Sequence, residues 1–273
     1  MTDSTIKIKG FVARKKKTML FIYRQSHSQS YIIKLEYKAK TYKLTMGSSF
    51  YGRIYPNRSD ISDDGKYFLY FALGKSQRKY DDKLNYWTAI SVVPRMTALV
   101  LLEHNDTWTG GGRFVGNEVQ LNVYKPEQEK TKFENYKLVY SSWLRGWDSG
   151  KDWFLAEEQK DPKHDFFVPK YWTKASKNLL LFRHLNYSEF LKRKDGNVQG
   201  EYDMHSYEVM DKKQKIKYPL DAKDPCLWAD FDNYGRLVLA RAGTIYFYEN
   251  IEQISNNQPT EIIDLESFIE SSK

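Results

Sequence analysis

Two stretches of the chain gather side chains able to do chemistry. The denser is His104-Asn105-Asp106-Thr107-Trp108-Thr109-Gly110-Gly111-Gly112-Arg113. His104 and Asp106 would supply a base and its orienter, and Arg113 a charge clamp. Gly110, Gly111 and Gly112 let backbone approach a ligand closely, and their amides could form an anion-binding nest. The run also reads as a long inter-strand turn with Trp108 packed beneath it, because Gly and Asn/Asp clusters mark turns. It is not a phosphate-binding P-loop: the Gly-Lys-Ser/Thr ending is absent and no helix follows. The second stretch runs from Trp143 to Phe154. Trp143, Trp147 and Trp153 alternate there with Arg145, Asp148, Lys151 and Asp152. Trp and Arg dominate binding hot spots, so this is the stronger candidate for a partner-binding surface. The competing reading buries the indoles in the core and leaves the charges in a solvated turn.

Other chemistries find little support. The five histidines (His27, His104, His164, His184, His205) make no i, i+4 pair and no H-E-x-x-H arrangement, so neither metal nor cofactor is expected. There is no G-x-S-x-G elbow to present a nucleophile. Cys226 is the single cysteine, which excludes an intramolecular disulfide and a cysteine-based zinc site. Its neighbours Pro225 and Leu227-Trp228 suggest a buried, inert thiol. Asp60, Asp63, Asp230 and Asp232 read as turn-forming carboxylates.

The elements that would position these groups are strands. The 273 residues include 21 Tyr, 15 Phe and 7 Trp, a 16% aromatic load that favours pleated, half-buried surfaces. Short alternating or apolar runs, such as 18–23, 31–37, 67–72, 98–103, 179–183 and 237–241, are separated by turn signals at Asp64-Gly65, Gly116-Asn117 and Ala242-Gly243. Helices are expected only over 187–194 and 261–271, the latter with Thr260 as N-cap. This divides the chain into a β domain over 1–258 and an acidic helical tail over 259–273.

The net charge is +8, and it is uneven. Residues 1–45 carry eleven Lys or Arg against Asp3 and Glu36, so the remainder is close to neutral. Arg14-Lys15-Lys16-Lys17 reads as a solvated turn between two strands rather than a phosphate contact. With no reader helix or RNP-like motif, nucleic acid is not an expected partner. No signal-peptide core and no apolar run of about 18 residues is present, so no membrane association and a cytoplasmic location are expected.

An internal repeat narrows the fold. Asp60-Ile61-Ser62-Asp63-Asp64-Gly65-Lys66-Tyr67-Phe68-Leu69-Tyr70 aligns without a gap on Asp230-Phe231-Asp232-Asn233-Tyr234-Gly235-Arg236-Leu237-Val238-Leu239-Ala240. Each is an acidic turn closing on Gly, then a basic residue and an apolar strand. The offset is close to four propeller blades of roughly 40–45 residues. These units resemble the blade signature of bacterial TolB-like and WD40-like β-propellers, although no Gly-His…Trp-Asp pairing recurs. The stretch from Trp87-Thr88-Ala89-Ile90-Ser91 through Trp108–Phe114 to Leu121-Asn122 is similar to an uncharacterised bacterial family without an assigned activity. The resemblance implies an all-β fold, a small β-propeller of five or six blades, with an irregular β-sandwich as the alternative. The expected function is a non-enzymatic module binding a protein partner through aromatic and charged loops, as a scaffold or an immunity-type protein. The alternative is a glycan- or small-molecule-active hydrolase or lyase using His104, Asp106, Arg145 and Asp148.

Overall fold

The computed structural model describes residues 6–38, 41–74, 86–104, 109–124, 131–141, 152–160, 167–186, 202, 204–221 and 224–273. The protein is predominantly β, in several antiparallel sheets with a short C-terminal helix. It divides into two compact units, Phe11–Asp148 and the pair of segments Met1–Gly10 and Ser149–Lys273.

β1 (Lys7–Val12) runs across the boundary into the first unit, which continues through β2 (Thr18–Ser26), β3 (Gln29–Lys38), β4 (Thr41–Ile54), β5 (Asp60–Ile61), β6 (Tyr67–Gly74), β7 (Tyr86–Val92) and β8 (Ala98–His104). Their order is β1-β2-β3-β4-β6-β7-β8, with β5 also on β6. β4 bridges two halves of this sheet: its 41–51 stretch pairs with β3, and Gly52 to Ile54 pair with β6. A smaller sheet holds β9 (Gly112–Val115), β10 (Glu118–Leu121), β11 (Lys132–Phe133) and β12 (Tyr136–Tyr140), in the order β11-β12-β10-β9. β6 explains the two cores of this unit. Side chains alternate across a strand, so Phe68 and Tyr70 pack with Leu20, Ile22, Ile32 and Ala89, while Tyr67 and Leu69 pack with Phe114, Val119 and Leu121. A strand buried on both faces needs a continuous apolar run, which is what Tyr67 to Ala72 supplies.

The second unit has β13 (Phe154–Lys160), β14 (Phe167–Ser176), β15 (Leu179–Leu185), β16 (His205–Asp211) and β17 (Lys217–Pro219) in one antiparallel meander. A second meander follows: β18 (Trp228–Phe231), β19 (Leu237–Arg241), β20 (Thr244–Tyr248) and β21 (Glu261–Asp264), with α1 (Ile251–Asn256) and α2 (Leu265–Ser271). Leu179, Leu181, Tyr207 and Val209 of the first meander share a core with Ala229, Phe231, Leu237 and Leu239 of the second. Gly10 lies so close to Trp228 that a Cβ there would meet the indole at 2.7 Å.

The repeated turns form as their sequences dictate. Gly65 and Gly235 have φ of +68° and +83°, and each donates its N–H to the carbonyl three residues back, of Ser62 and Asp232. The side chain at that position then accepts from the backbone beyond: Ser62 Oγ from Lys66 and Tyr67, Asp232 Oδ1 from Tyr234 and Arg236. The copies part company after the turn. Asp60 pairs with Leu69, but Asp230 pairs with Val238, one residue earlier in the aligned frame. The second turn is therefore one residue tighter than a gapless alignment implies.

Arg14 to Lys17 form the solvated turn between β1 and β2, closed by the Ala13 N–H on the Thr18 carbonyl. The C-terminal helix is shorter than expected. Thr260 is not its cap; residues 261–264 extend β20 as β21, and Asp264 caps α2 by accepting from the Ser267 N–H. α1, capped by Asn250, was not expected at all. The expected helix over 187–194 lies outside the described residues.

Candidate functional site

The Gly-rich segment sits at the junction of β8 and β9. His104, at the end of β8, shares a hydrogen bond with Thr88 Oγ1 at 2.8 Å, and its ring stands edge-on to Phe71. Thr88 Oγ1 also accepts the Gly111 N–H at 2.7 Å, and the Gly110 N–H goes to the Asn122 carbonyl. The Gly110 and Gly111 amides are thus spent within the protein. The glycines have a packing reason. A Cβ at Gly110 would enter the Phe71 ring at 2.2 Å, and one at Gly111 or Gly112 would strike the carbonyl of Arg58 or Gln120. Gly110 and Gly111 moreover hold φ of +111° and +80°. Arg58 reaches over the Phe71 face and donates to the Thr109 carbonyl, clamping the segment from outside. Arg113 is turned along the sheet, where its Nε donates to Gln120 across the β9–β10 pair. Among the described residues, His104 and Arg113 do not share a hydrogen-bonding partner. Asp106 and Trp108 lie outside the described residues, as do Trp143, Arg145, Trp147 and Asp148.

Trp153 is the described member of the Trp-rich segment, and it leads to a cluster that the sequence did not announce. On one face of the β13–β17 sheet, Trp172, Arg183 and Tyr207 stand in register across β14, β15 and β16. The Arg183 guanidinium carbon lies 4.5 Å from the Trp172 ring centroid and 4.6 Å from that of Trp153. A cation close to two indole rings gains from both ring quadrupoles, more so when shielded from water. Arg183 is buried, and its Nε has no hydrogen-bond partner among the described residues. Burial lowers its pKa to about 10, against the pull of Tyr207 and Asp230, so it stays protonated at neutral pH. Lys174, two residues along β14 from Trp172, pairs with Asp230 of β18 at 2.5 Å. His205, two residues before Tyr207, packs edge-on to Trp172 with its Nε2 buried and unpartnered. Burial, then the charges of Arg183 and Lys9, hold its pKa well below the ordinary histidine value, so it is neutral.

One sequence signal pointed here. In Leu179-Leu180-Leu181-Phe182-Arg183-His184-Leu185 the inward positions of the strand read Leu, Leu, Arg, Leu, and a charged residue in an inward series is the informative exception. The indole partners come from β14 and the lead into β13, which only the strand register brings together. The opposite face of the sheet carries a solvent-facing pair, His184 with Glu208 at 2.9 Å, joined by Lys217. Cys226 is buried, with its thiol on the Trp228 carbonyl and its pKa pushed up by burial, as its apolar neighbours implied. Among the described residues no three His, Cys, Asp or Glu side chains gather as metal ligands.

Comparison with known proteins adds no relative: no family model, curated protein or solved structure matches this chain.

Proposed function

We propose that this protein is a non-enzymatic interaction module, a small β-propeller of five or six blades that binds a protein partner through the Trp-rich segment and the strand it leads into. The observation that carries the binding reading is β13. It ends its sheet, and its first residues are exposed apolar groups: Phe154 is 70% and Leu155 47% accessible. The other half of β13 carries Glu157, Glu158 and Lys160, charges of the kind that keep an edge strand from pairing indiscriminately. An edge that is apolar at one end and charged at the other suits strand addition by a partner segment, with Phe154 and Leu155 filling its pockets.

The blade reading is supported by groups of four or five strands that follow one another along the chain, β9–β12, β13–β17 and β18–β21, with β1–β4 and β5–β8 as the two halves of the eight-stranded sheet. It is also supported by residues 1–10 grouping with the C-terminal segment, as ring closure requires. A scaffold or immunity-type protein would use such an edge. The test is affinity capture followed by binding to the purified partner, comparing wild type with a Phe154→Asp, Leu155→Lys double variant. At least a tenfold loss of affinity, about 1.4 kcal/mol, is expected. Partners retained at wild-type strength would overturn the assignment.

A further inference from the structure

We propose that the open edge of β4 over residues 41–46 docks an extended acidic segment of a protein partner, which adds to the sheet as a strand and alternates carboxylates with apolar side chains. The site belongs to the unit Phe11–Asp148, stands apart from the β13 edge and does not need it.

β4 is paired along one side and only at its end on the other. Its 41–51 stretch lies against β3, whereas β6 takes up only Gly52 to Ile54. The middle of the open side is closed by the segment after β7. Ser48 donates its N–H to the Pro94 carbonyl, and its Oγ accepts the Met96 N–H. Residues 41–46 are left with no second strand beside them among the described residues. Thr41, Tyr42 and Lys43 are exposed there, and 44–46 are half-buried. A strand edge of this kind presents backbone donors and acceptors to an incoming chain.

The register decides what that chain must carry. Lys38 stands opposite Thr41, Glu36 opposite Lys43, and Lys34 opposite Thr45, so these six side chains share one face. Lys16, from the β1–β2 turn, approaches the same Glu36 to 4.0 Å, and Lys34 holds it at 2.9 Å. Four ammonium groups thus surround one carboxylate, and Lys38 and Lys43 are exposed. The nearest acids beyond the turn do not offset them. Asp63 borders Lys15 through its carbonyl, and the Asp64 carboxylate is taken up by Ser62 and the Lys66 N–H. An added strand sets alternate side chains opposite Thr41, Lys43 and Thr45 on the lysine face. A carboxylate at the middle position faces Lys43, and those to either side pass the short threonines towards Lys38 and Lys34. The intervening side chains fall beside Tyr42, 48% exposed, and Leu44, where apolar groups suit them. Edge lysines repel most strands, and an acidic one turns that repulsion into selectivity. A nucleic acid or a lipid surface answers the lysines but not the open backbone; a peptide strand answers both.

The experiment measures binding of the purified full chain to a fluorescein-labelled peptide that alternates glutamate with valine, by anisotropy. Saturable binding is expected, about tenfold weaker or more when glutamine replaces glutamate, and weakened to a similar degree between about 0.05 M and about 0.5 M sodium chloride. Two further peptides are N-methylated on every glutamate or on every valine. Only one of these blocks the edge that meets β4, so one should bind and the other fail. A Lys38→Gln, Lys43→Gln double variant, altered at exposed positions, should keep its thermal midpoint and bind about tenfold more weakly or worse. Undiminished binding by that variant, equal binding of the glutamine peptide, equal binding of the two methylated peptides, or no saturable binding would each overturn the proposal. So would tighter binding of oligodeoxythymidylate or phosphatidylserine vesicles, which would assign the lysines to a polyanion. The Phe154, Leu155 double variant leaves this edge intact and should bind the peptide like wild type, so the two readings can fail separately.

Discussion

Replacing Asp232 by alanine tests whether the two repeated turns are held by different physics despite their aligned sequences. The Asp232 side chain is fully buried, and its carboxylate accepts from the Tyr234 N–H (2.9 Å), the Arg236 N–H (2.9 Å) and Arg236 Nε (2.8 Å). The substitution removes two charge-assisted bonds to backbone and the inner half of an ion pair. It leaves Arg236, whose side chain is only 8% exposed, with Glu261 as its remaining carboxylate. Breaking a buried pair from one side costs about 3–5 kcal/mol. At the matching position of the other copy stands Ser62, a neutral acceptor for the Lys66 and Tyr67 amides. Removing its hydroxyl should cost about 1–2 kcal/mol. The aligned positions should therefore differ by about 1–4 kcal/mol, with a midpoint of about 2.5 that is more than thirtyfold in a folding constant. Urea titration followed by both tryptophan fluorescence and far-ultraviolet dichroism would measure it, with Asp232→Asn falling between because it keeps an acceptor. If Ser62→Ala cost as much as Asp232→Ala, or Asp232→Ala cost less than about 1 kcal/mol, the argument from the buried Arg236 pair would be refuted.

Three further outcomes are expected. Gly110→Ala places a methyl inside the Phe71 ring at a positive φ and should cost more than about 3 kcal/mol, whereas Gly116→Ala, at φ +58° with open space around it, should cost about 1–2 kcal/mol; thermal midpoints would rank them. His205 has a pKa depressed by burial and by Arg183 and Lys9, so below about pH 6.5 the unfolded chain takes up a proton that the folded protein refuses. Its contribution is full above that pH and falls as the solution is acidified, by about 1.4 kcal/mol between pH 7.5 and 5.5, and His205→Asn should flatten that part of the urea-midpoint profile. Asp264→Ala removes the α2 cap and should cost about 1 kcal/mol, read as a lowered thermal midpoint.

The sequence disclosed elements wherever a strand was apolar on both faces or alternated cleanly, as at β2, β6, β15 and β19. It hid β4, because Thr41 to Ile54 includes Gly47, Ser48 and Ser49 and is almost nowhere fully buried, leaving no apolar pattern to read. It hid β14 too, where Pro169 and three lysine or threonine positions interrupt the run. The C-terminal helix was legible, but its start was not: Thr260 and Asp264 both precede acidic, helix-compatible residues, and the choice was made by β20, which offered the 261–264 stretch a ladder. The Gly-rich loop was legible as a turn, since Gly clusters mark close backbone approach, but not as one wrapped around Phe71, a residue about forty positions away. The Arg183 cluster shows the same limit. Its parts are spread over 153–207, and no spacing in one dimension encodes the register that aligns them.

The division of the chain has a consequence for how the protein is made. The unit Phe11–Asp148 is one uninterrupted stretch, so every contact that defines it is available once residue 148 has left the ribosome. The other unit is assembled from the first ten residues and the last 125, with the whole of its neighbour translated in between. Gly10 must therefore wait for Trp228 to be synthesised before its packing is satisfied. Synthesis thus imposes an order in which one half can be complete while the other still awaits its partner strand. A rearranged chain that starts near residue 149 and links Lys273 to Met1 would make both units continuous and remove that delay.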